Sequence, residues 1–515
     1  MKSRYFGAGF FLLVLSALVS ATALDDYVAM PDAAYSWTQV GSGSYDSATF
    51  TTAFTLRLNS QQWRSSTEVE PSQVLWKHWV TVIIPSSALG PTRSTALLLI
   101  NGGSTNDPAP AADSQMRLLS AATRSLIVTL TAVPNQPIRF LDESFSRSED
   151  EIIAYTWDKF LNGGDAFWPA QLPMVKSVKA CMDAVQAFAA SQAKTVNSFV
   201  LTGGSKRGWT AWLTAAVDSR VIAAAPIVID LLNMERSFAH HWACYGFWAP
   251  SLAPYQQKTI FDRFDLPRTA ELLEIVDPYR YRSRLTLPKY IITASGDDFF
   301  VSDSAQFYIR QLSGETLLRT VPNTNHYLDG AYSSVFAGLV PFYDAVLNGA
   351  ARPSFSWTVQ PDGTTIVQTS TTPSAVKLWQ ITNPTARDFR RLTTGPNWTS
   401  TALTDQGGGV YIGQVPVPPQ GWTAYFVELT FPGRTVGGIS YPYLFTTEMV
   451  VVPEIRPFET DFSRDRSTNL SDLVIFSEHW LTGNPYRDLF PRRGGDGVVN
   501  LNDLALFGSH WLETF

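Results

Sequence analysis

Between about residue 79 and residue 342, short runs of β-branched and apolar residues alternate with longer stretches of helical periodicity. That alternation predicts an α/β region, a sheet flanked by helices. Strands are expected at 79–84, 96–100, 125–130, 198–202, 223–229, 290–294 and 317–321, and helices at 174–193 and 209–217. Several of these strands are unbroken apolar runs, as parallel strands buried on both faces should be. After Pro353 the pattern changes to short alternating runs at 356–359, 364–368, 375–380, 410–415 and 424–431, separated by Pro, Gly, Asn and Asp. This predicts an antiparallel β-sandwich over 353–452, following an α/β domain over 24–352. A linker at 453–460 then leads to a last module at 461–515.

That module is duplicated. Residues 469–481 read NLSDLVIFSEHWL and residues 500–512 read NLNDLALFGSHWL, with eight of thirteen positions identical. A repeat of this kind predicts two copies of one loop-helix unit sharing a core.

Composition narrows the picture in three ways. A chain of 515 residues with 45% hydrophobic and 16% charged residues has ample apolar surface for two or three folded domains. A net charge of -6 with no basic run excludes a phosphate-backbone binder, so no nucleic-acid partner is expected. Lys2 and Arg4, an apolar run at 10–19 and the small residues Ala21 and Ala23 read as a cleavable signal over 1–23. The mature chain is therefore expected outside the cytoplasm, extracellular or periplasmic, without a membrane span. Cys181 and Cys244 are the only cysteines, so at most one disulfide joins them. Asn397-Trp398-Thr399 is a glycosylation acceptor pattern for a host that uses one.

The candidate chemistry lies on the α/β region. A serine becomes a nucleophile when an imidazole takes its proton and a carboxylate orients that imidazole. In α/β-hydrolases the serine sits on a tight strand-to-helix turn, followed in chain order by an acid and then a histidine. Here strand 198–202 runs into Gly203, Gly204 and Ser205 before a helix, although Arg207 stands where the G-x-S-x-G pattern has its second glycine. Asp297 and Asp298 follow a later strand, and His326 follows the next. Asp297 is favoured as the acid, Asp298 stands close behind, and Asp303 is a third option. The Lys206 amide and the loop Gly102-Gly103-Ser104 are the expected oxyanion donors. The alternative reading of Ser205 is an ordinary helix cap.

Five segments resemble the PhoPQ-activated pathogenicity-related protein family: INGGS at 100–104, GGSKRGWTAW at 203–212, IDLLNM at 229–234, GDDFF at 296–300 and VPNTNH at 321–326. NPTARDFR at 383–390 and GWTAYFVELTF at 421–431 extend the resemblance toward residue 453. It implies a hydrolase fold with a Ser/Asp/His site, an acyl-type small molecule or peptide as substrate, and no catalytic cofactor. The alternative is an inactive binding or signalling protein on the same scaffold. Residues 230–261 are expected to cap the site, with His240 and His241 structural unless they touch substrate. The terminal repeat resembles dockerin modules, which implies Ca²⁺ loops and a protein partner. Asp461, Ser463, Asp465, Asn469 and Asp472 fit the ligand positions of the first loop. In the second, Asp496, Asn500 and Asp503 fit, but Arg492 and Gly494 fall on the first two positions unless the register shifts and Asp488 contributes.

Overall fold

The computed structural model describes residues 21–484, 486–493 and 495–514. The expected signal lies outside them except for its last three residues. Nine strands form one sheet: β1 (Ser36–Asp46), β2 (Thr51–Gln62), β3 (Leu75–Pro85), β4 (Thr95–Ile100), β5 (Ile127–Leu130), β6 (Ser198–Gly204), β7 (Val221–Ile227), β8 (Lys289–Ala294) and β9 (Thr316–Val321). Their order across the sheet is β1-β2-β3-β5-β4-β6-β7-β8-β9. β1, β2 and β3 pair antiparallel, β3 also runs against β5, and every pairing from β5 to β9 is parallel.

The parallel strands are apolar on both faces because both are covered. Leu98, Leu201 and Ile291 point into a core shared with helix Gln171–Ser191, while Leu97, Val200 and Ile292 point into one shared with helix Tyr332–Leu347. The hydrophobic pattern predicts neither of the first two strands. β1 is a mostly exposed edge rich in Gly and Ser, so it carries no apolar alternation; it is a strand because β2 pairs with it.

Beyond residue 353, one antiparallel sheet joins Phe355–Val359, Thr365–Thr369 and Val410–Gly413, and another is built on Ala375–Asn383, Trp422–Val436 and Ile439–Thr446. Val367 and Tyr411 of the first share a core with Val427 and Leu429 of the second. The second sheet also closes the edge of the first domain: Thr446 Oγ1 accepts from the Thr320 amide of β9 at 2.9 Å.

In the terminal repeat, helices Leu470–Ser477 and Leu501–Ser509 carry the same capping box, Asn469 with Asp472 and Asn500 with Asp503. Phe476 and Phe507 stack between them at 5.5 Å. The repeat rests on the α/β domain through Arg464–Asp262 (3.1 Å), Arg487–Asp265 (3.0 Å) and Arg236–Asp488 (3.0 Å). The segment read as a linker is part of that contact, with Arg456, Glu459 and Thr460 buried. Cys181 and Cys244 are both buried free thiols, so the disulfide considered from sequence is not formed. Among the described residues, no helix is long and apolar enough to cross a membrane.

Candidate active site

Ser205 sits between β6 and helix Lys206–Val217 with φ 56° and ψ -129°, a conformation costly for a residue with a Cβ. Its amide donates to Ile227 O on β7 at 2.8 Å, and this tie helps hold the strained turn. The glycines around it are steric requirements. A Cβ on Gly203 would lie 2.9 Å from Ile100 O, and one on Gly208 would lie 2.8 Å from Gly203 O. Close packing of helix on strand therefore falls to Gly208, one position later than the usual pattern. Arg207 is accommodated by turning under the neighbouring loop: its guanidinium donates to Val133 O at 2.5 Å and to both Glu149 oxygens at 2.7 Å. The same guanidinium lies 2.7 Å from where a Gly102 Cβ would be, so Gly102 is needed to leave it room.

His326 and Asp297 complete a hydrogen-bonded row. The Ser205 hydroxyl donates to His326 Nε2 at 2.9 Å, and His326 Nδ1–H donates to both Asp297 oxygens at 3.0 Å. Asp297 is fixed by the amides of Phe299 (2.8 Å) and Phe300 (3.3 Å), which close the loop after β8 around its carboxylate. This is the choice that adjacent sequence positions left open. Asp298 meets the His326 backbone amide rather than the imidazole, and burial together with the Asp297 charge pushes its carboxyl up. Asp303 is turned away to His240 and Arg387.

Ser205 opens onto a narrow pocket. Its walls are apolar: Trp157 and Trp209 come from helices Asp150–Leu161 and Lys206–Val217, Phe238, Leu252 and Tyr255 from the cap, and Phe299 and Phe300 from the Asp297 loop. The cap thus lies where 230–261 was expected, joined by helix Asp150–Leu161, which sequence did not single out. Polarity enters on one side only. The Lys206 ammonium is buried between Glu149 (2.8 Å) and Asp150 (3.0 Å), and Tyr255 Oη donates to Asp150 at 2.9 Å. Burial opposes ionisation of Glu149, but the Arg207 hydrogen bonds and the charges of Lys206 and Arg207 hold its carboxyl well below the usual range. These partners are far apart in sequence and give no local motif.

The oxyanion loop needs a correction. The Ser104 amide donates to Asp107 at 2.6 Å and the Gly102 amide to Asn101 Oδ1 at 2.9 Å, so neither is free. Gly103, at φ 105°, is the remaining loop amide; that of Lys206 lies in the first turn of its helix, where backbone donors lack intrahelical partners. His240 and His241 stay out of the cavity: His240 Nε2 bonds Asp303 at 2.7 Å, and His241 Nε2 accepts from the Ala249 amide at 3.1 Å. Burial pushes both down, to about 4 and about 3.

The repeat loops offer donor sets that fit a hard cation. In the first, with Asp461, Ser463, Asp465, Asn469 and Asp472, the Asp461 carboxylate accepts from the Asp465 amide at 3.0 Å, that of Asp472 from the Ser463 amide at 2.7 Å and that of Asp465 from the Asn469 side chain at 3.3 Å. Ser463 Oγ is buried without a partner, and burial with the nearby Asp472 charge pushes Asp461 up. In the second, Asp488 rather than Arg492 takes the first position. Its carboxylate accepts from the Asp496 amide at 3.0 Å, as Asp461 does from Asp465, and its oxygens cluster with those of Asp496 and Asp503 within 4.8 Å. Asn500 stands between them, its amide donating to Asp503 at 2.8 Å. Arg492 instead pairs with Glu459 at 2.7 Å. The second loop is longer than the first by four residues, which hid its first ligand from a fixed offset.

Among solved structures, the fold is similar to acetyl xylan esterase 1 from Thermoanaerobacterium sp. JW/SL YS485, at 13% identity and TM-score 0.41 over 62% of this chain and 93% of that one. It is also similar to an S-formylglutathione hydrolase from Agrobacterium tumefaciens, at 11% identity and TM-score 0.37 over 60% and 99%. Likenesses at that level say nothing of chemistry. The sequence comparisons are stronger: the chain is 36% identical over 471 residues to autocrine proliferation repressor protein A of Dictyostelium discoideum, covering 87% of this chain and 94% of that protein. Residues 24–390 match the model of one family over the whole nine-stranded sheet, the cap and the Ser205 row, and the chain belongs to that family, the PhoPQ-activated pathogenicity-related proteins.

Proposed function

We propose that the protein is a secreted serine hydrolase that cleaves an ester or amide bond of a small acyl-type substrate. The observation that carries this reading is the unbroken row Ser205–His326–Asp297, set on a strained turn at the mouth of an apolar cavity. In the proposed reaction Ser205 Oγ attacks the carbonyl carbon while His326 Nε2 takes its proton, and Asp297 steadies the resulting imidazolium. The carbonyl oxygen gains charge and is met by the amides of Lys206 and Gly103. Collapse expels the leaving group, which receives the proton from His326; water activated by the same nitrogen then releases the acid and restores Ser205. A fluorophosphonate probe should label the intact protein at Ser205 and nowhere else, with labelling absent in Ser205→Ala; an unlabelled wild-type protein rejects the reading.

A second reading is favoured by one observation, the repressor name of the relative at 36% identity: a secreted signalling protein that keeps the scaffold without turnover. It requires wild-type protein with an intact fold to resist the probe.

The regions flanking this chemistry extend the proposal. Residues 353–452 act as a β-sandwich module, and the dockerin-like repeat holds one Ca²⁺ per loop, through Asp461, Ser463, Asp465, Asn469 and Asp472 and through Asp488, Asp496, Asn500 and Asp503. A protein partner for the repeat is supported by duplicated apolar residues left exposed at matching positions, Leu470 with Leu501 and Leu481 with Leu512.

A further inference from the structure

The pocket beside Ser205 is closed in by its own walls. Its free space is about 20 Å³, room for about one water-sized group, and a methyl group is of similar size. Three of the walls are pinned by hydrogen bonds as well as packed. Trp157 Nε1 donates to Gln171 Oε1 at 3.1 Å, Trp209 Nε1 to Val276 O at 2.6 Å and Tyr255 Oη to Asp150 at 2.9 Å. The Trp157 ring meets those of Trp209 and Tyr255 edge-on, at 5.7 and 5.6 Å. Moving any of these rings would break a hydrogen bond along with its packing, so the wall resists widening. On the cap side, Phe238 is set among Trp248, Phe261 and Phe264 at 6.3, 5.0 and 5.2 Å.

The two sides of the nucleophile differ. The pocket is walled by helices Asp150–Leu161 and Lys206–Val217, the cap and the Asp297 loop, and His326 is not part of its wall. A leaving group must meet His326 Nε2, the atom that protonates it, so it lies on the histidine side and the acyl chain points into the pocket. The histidine side is open: Tyr327, whose ring stands 5.8 Å from that of His326, is 64% exposed. Inside the pocket no polar group waits for a partner. Among the described lining residues no buried side-chain nitrogen or oxygen is unpaired. Lys206 lies between Glu149 and Asp150, and Asp150 between Lys206 and Tyr255. A charged acyl group would therefore lose its hydration without gaining a counter-ion.

We propose that the site is selective for acetyl groups, an inference that rests on the hydrolase reading of Ser205. The acetyl methyl fills the free space, a longer chain meets rings held in place, and the leaving group departs on the open side past Tyr327. Phe238 and Leu252 set the limit from the cap, and neither is pinned through a side-chain hydrogen bond, which makes them the residues through which the limit can be moved.

The test is kcat/KM of the full-length protein for p-nitrophenyl acetate, butyrate and octanoate, which share one leaving group, beside fluorophosphonate labelling of Ser205. Acetate is expected to exceed butyrate by about tenfold or more, the factor that even one methylene is worth in an apolar pocket, and octanoate should give no measurable turnover. Leu252→Ala and, separately, Phe238→Ala open the cap wall and should raise the butyrate-to-acetate ratio by about tenfold. A ratio does not depend on the fraction of molecules folded, so a destabilised variant still reports. 2-Naphthyl acetate should be cleaved no more slowly than phenyl acetate, since the added bulk falls on the open side. In protein that the probe labels, butyrate cleaved as fast as acetate, a ratio unmoved in both variants, slower cleavage of the naphthyl ester, or no cleavage of any ester overturns the acetyl selectivity and leaves the reactive Ser205 standing. Protein that neither takes the label nor cleaves an ester overturns the hydrolase reading and this inference with it.

Discussion

Two buried histidine–aspartate pairs stand among the described residues, alike in distance but made through opposite ring nitrogens, Nδ1 in His326 and Nε2 in His240. His326 bonds Asp297 at 3.0 Å and His240 bonds Asp303 at 2.7 Å, each with both partners at most 5% exposed. Each even has a nucleophile beside it, Ser205 Oγ at 2.9 Å from one ring and Cys244 Sγ at 3.5 Å from the other. The difference lies in what surrounds them. Cys244 is one turn along the same helix as His240, in an unstrained position, and burial pushes its thiol up to about 12. Arg387 closes the group, donating to Asp303 at 2.7 Å and to Cys244 Sγ at 2.9 Å. Burial opposes the Asp303 charge, yet Arg387 and His240 hold it well below its usual range. That cluster is a sealed strut between cap and β-rich region. Ser205 instead comes from a different strand than its histidine and faces a cavity. Pairing a nucleophile with an imidazole and a carboxylate is thus cheap; an open approach on a strained turn separates a reactive row from a structural one.

The sharpest break between the two comes from the nucleophiles. Ser205→Ala should lower hydrolysis of p-nitrophenyl acetate by about 10³-fold or more, while Cys244→Ser leaves the rate per folded molecule unchanged. A matching loss in Cys244→Ser would erase the contrast. The acids come next. Asp297→Asn should reduce kcat by roughly 10² to 10⁴-fold with little change in melting temperature. Asp303→Asn should act on stability, by roughly 3–5 kcal/mol in urea unfolding, because it strips the main partner from the buried Arg387.

A smaller effect tests the tail side of the sealed cluster. The helix that carries His240 also sends Trp242 to Asp461 (3.2 Å) and Arg236 to Asp488, the first carboxylates of the two loops. Chelation with EGTA should lower the melting temperature by an amount equivalent to about 2–3 kcal/mol when Ca²⁺ had stood near a hundred times its Kd. Asp488→Ala should remove part of that Ca²⁺ dependence; an unchanged shift in this variant would show that Asp488 is no ligand.

A pH effect concerns Asp230, which feels both Asp297 and Asp303. Burial, with those two charges adding to it, pushes its carboxyl up to about 8. A raised acid favours folding in its neutral form, so its contribution is full below the ordinary carboxyl range and lost as pH rises through about 8. Asp230→Asn cannot titrate, and its melting temperature should fall less than that of the wild type between about pH 5 and 9.

Much of this was legible along the chain. The buried parallel strands announced themselves because strands covered on both faces must be apolar throughout, and the order Ser205, Asp297, His326 followed from strand ends that sequence locates. The duplicated loop-helix unit at 469–481 and 500–512 is local and was equally readable. Sequence alone therefore determined the α/β core, the strand-turn-helix around Ser205 and the existence of the repeat, since each rests on periodicity or on contacts within a few residues. Tertiary structure alone decided that Asp297 and not Asp298 meets the imidazole, that Arg207 and Lys206 are balanced by Glu149 and Asp150, that Asp488 replaces Arg492, and that the repeat docks on the cap. Those outcomes depend on the direction of side chains on adjacent residues and on charges distant in the chain, which only folding brings within a few ångströms of one another.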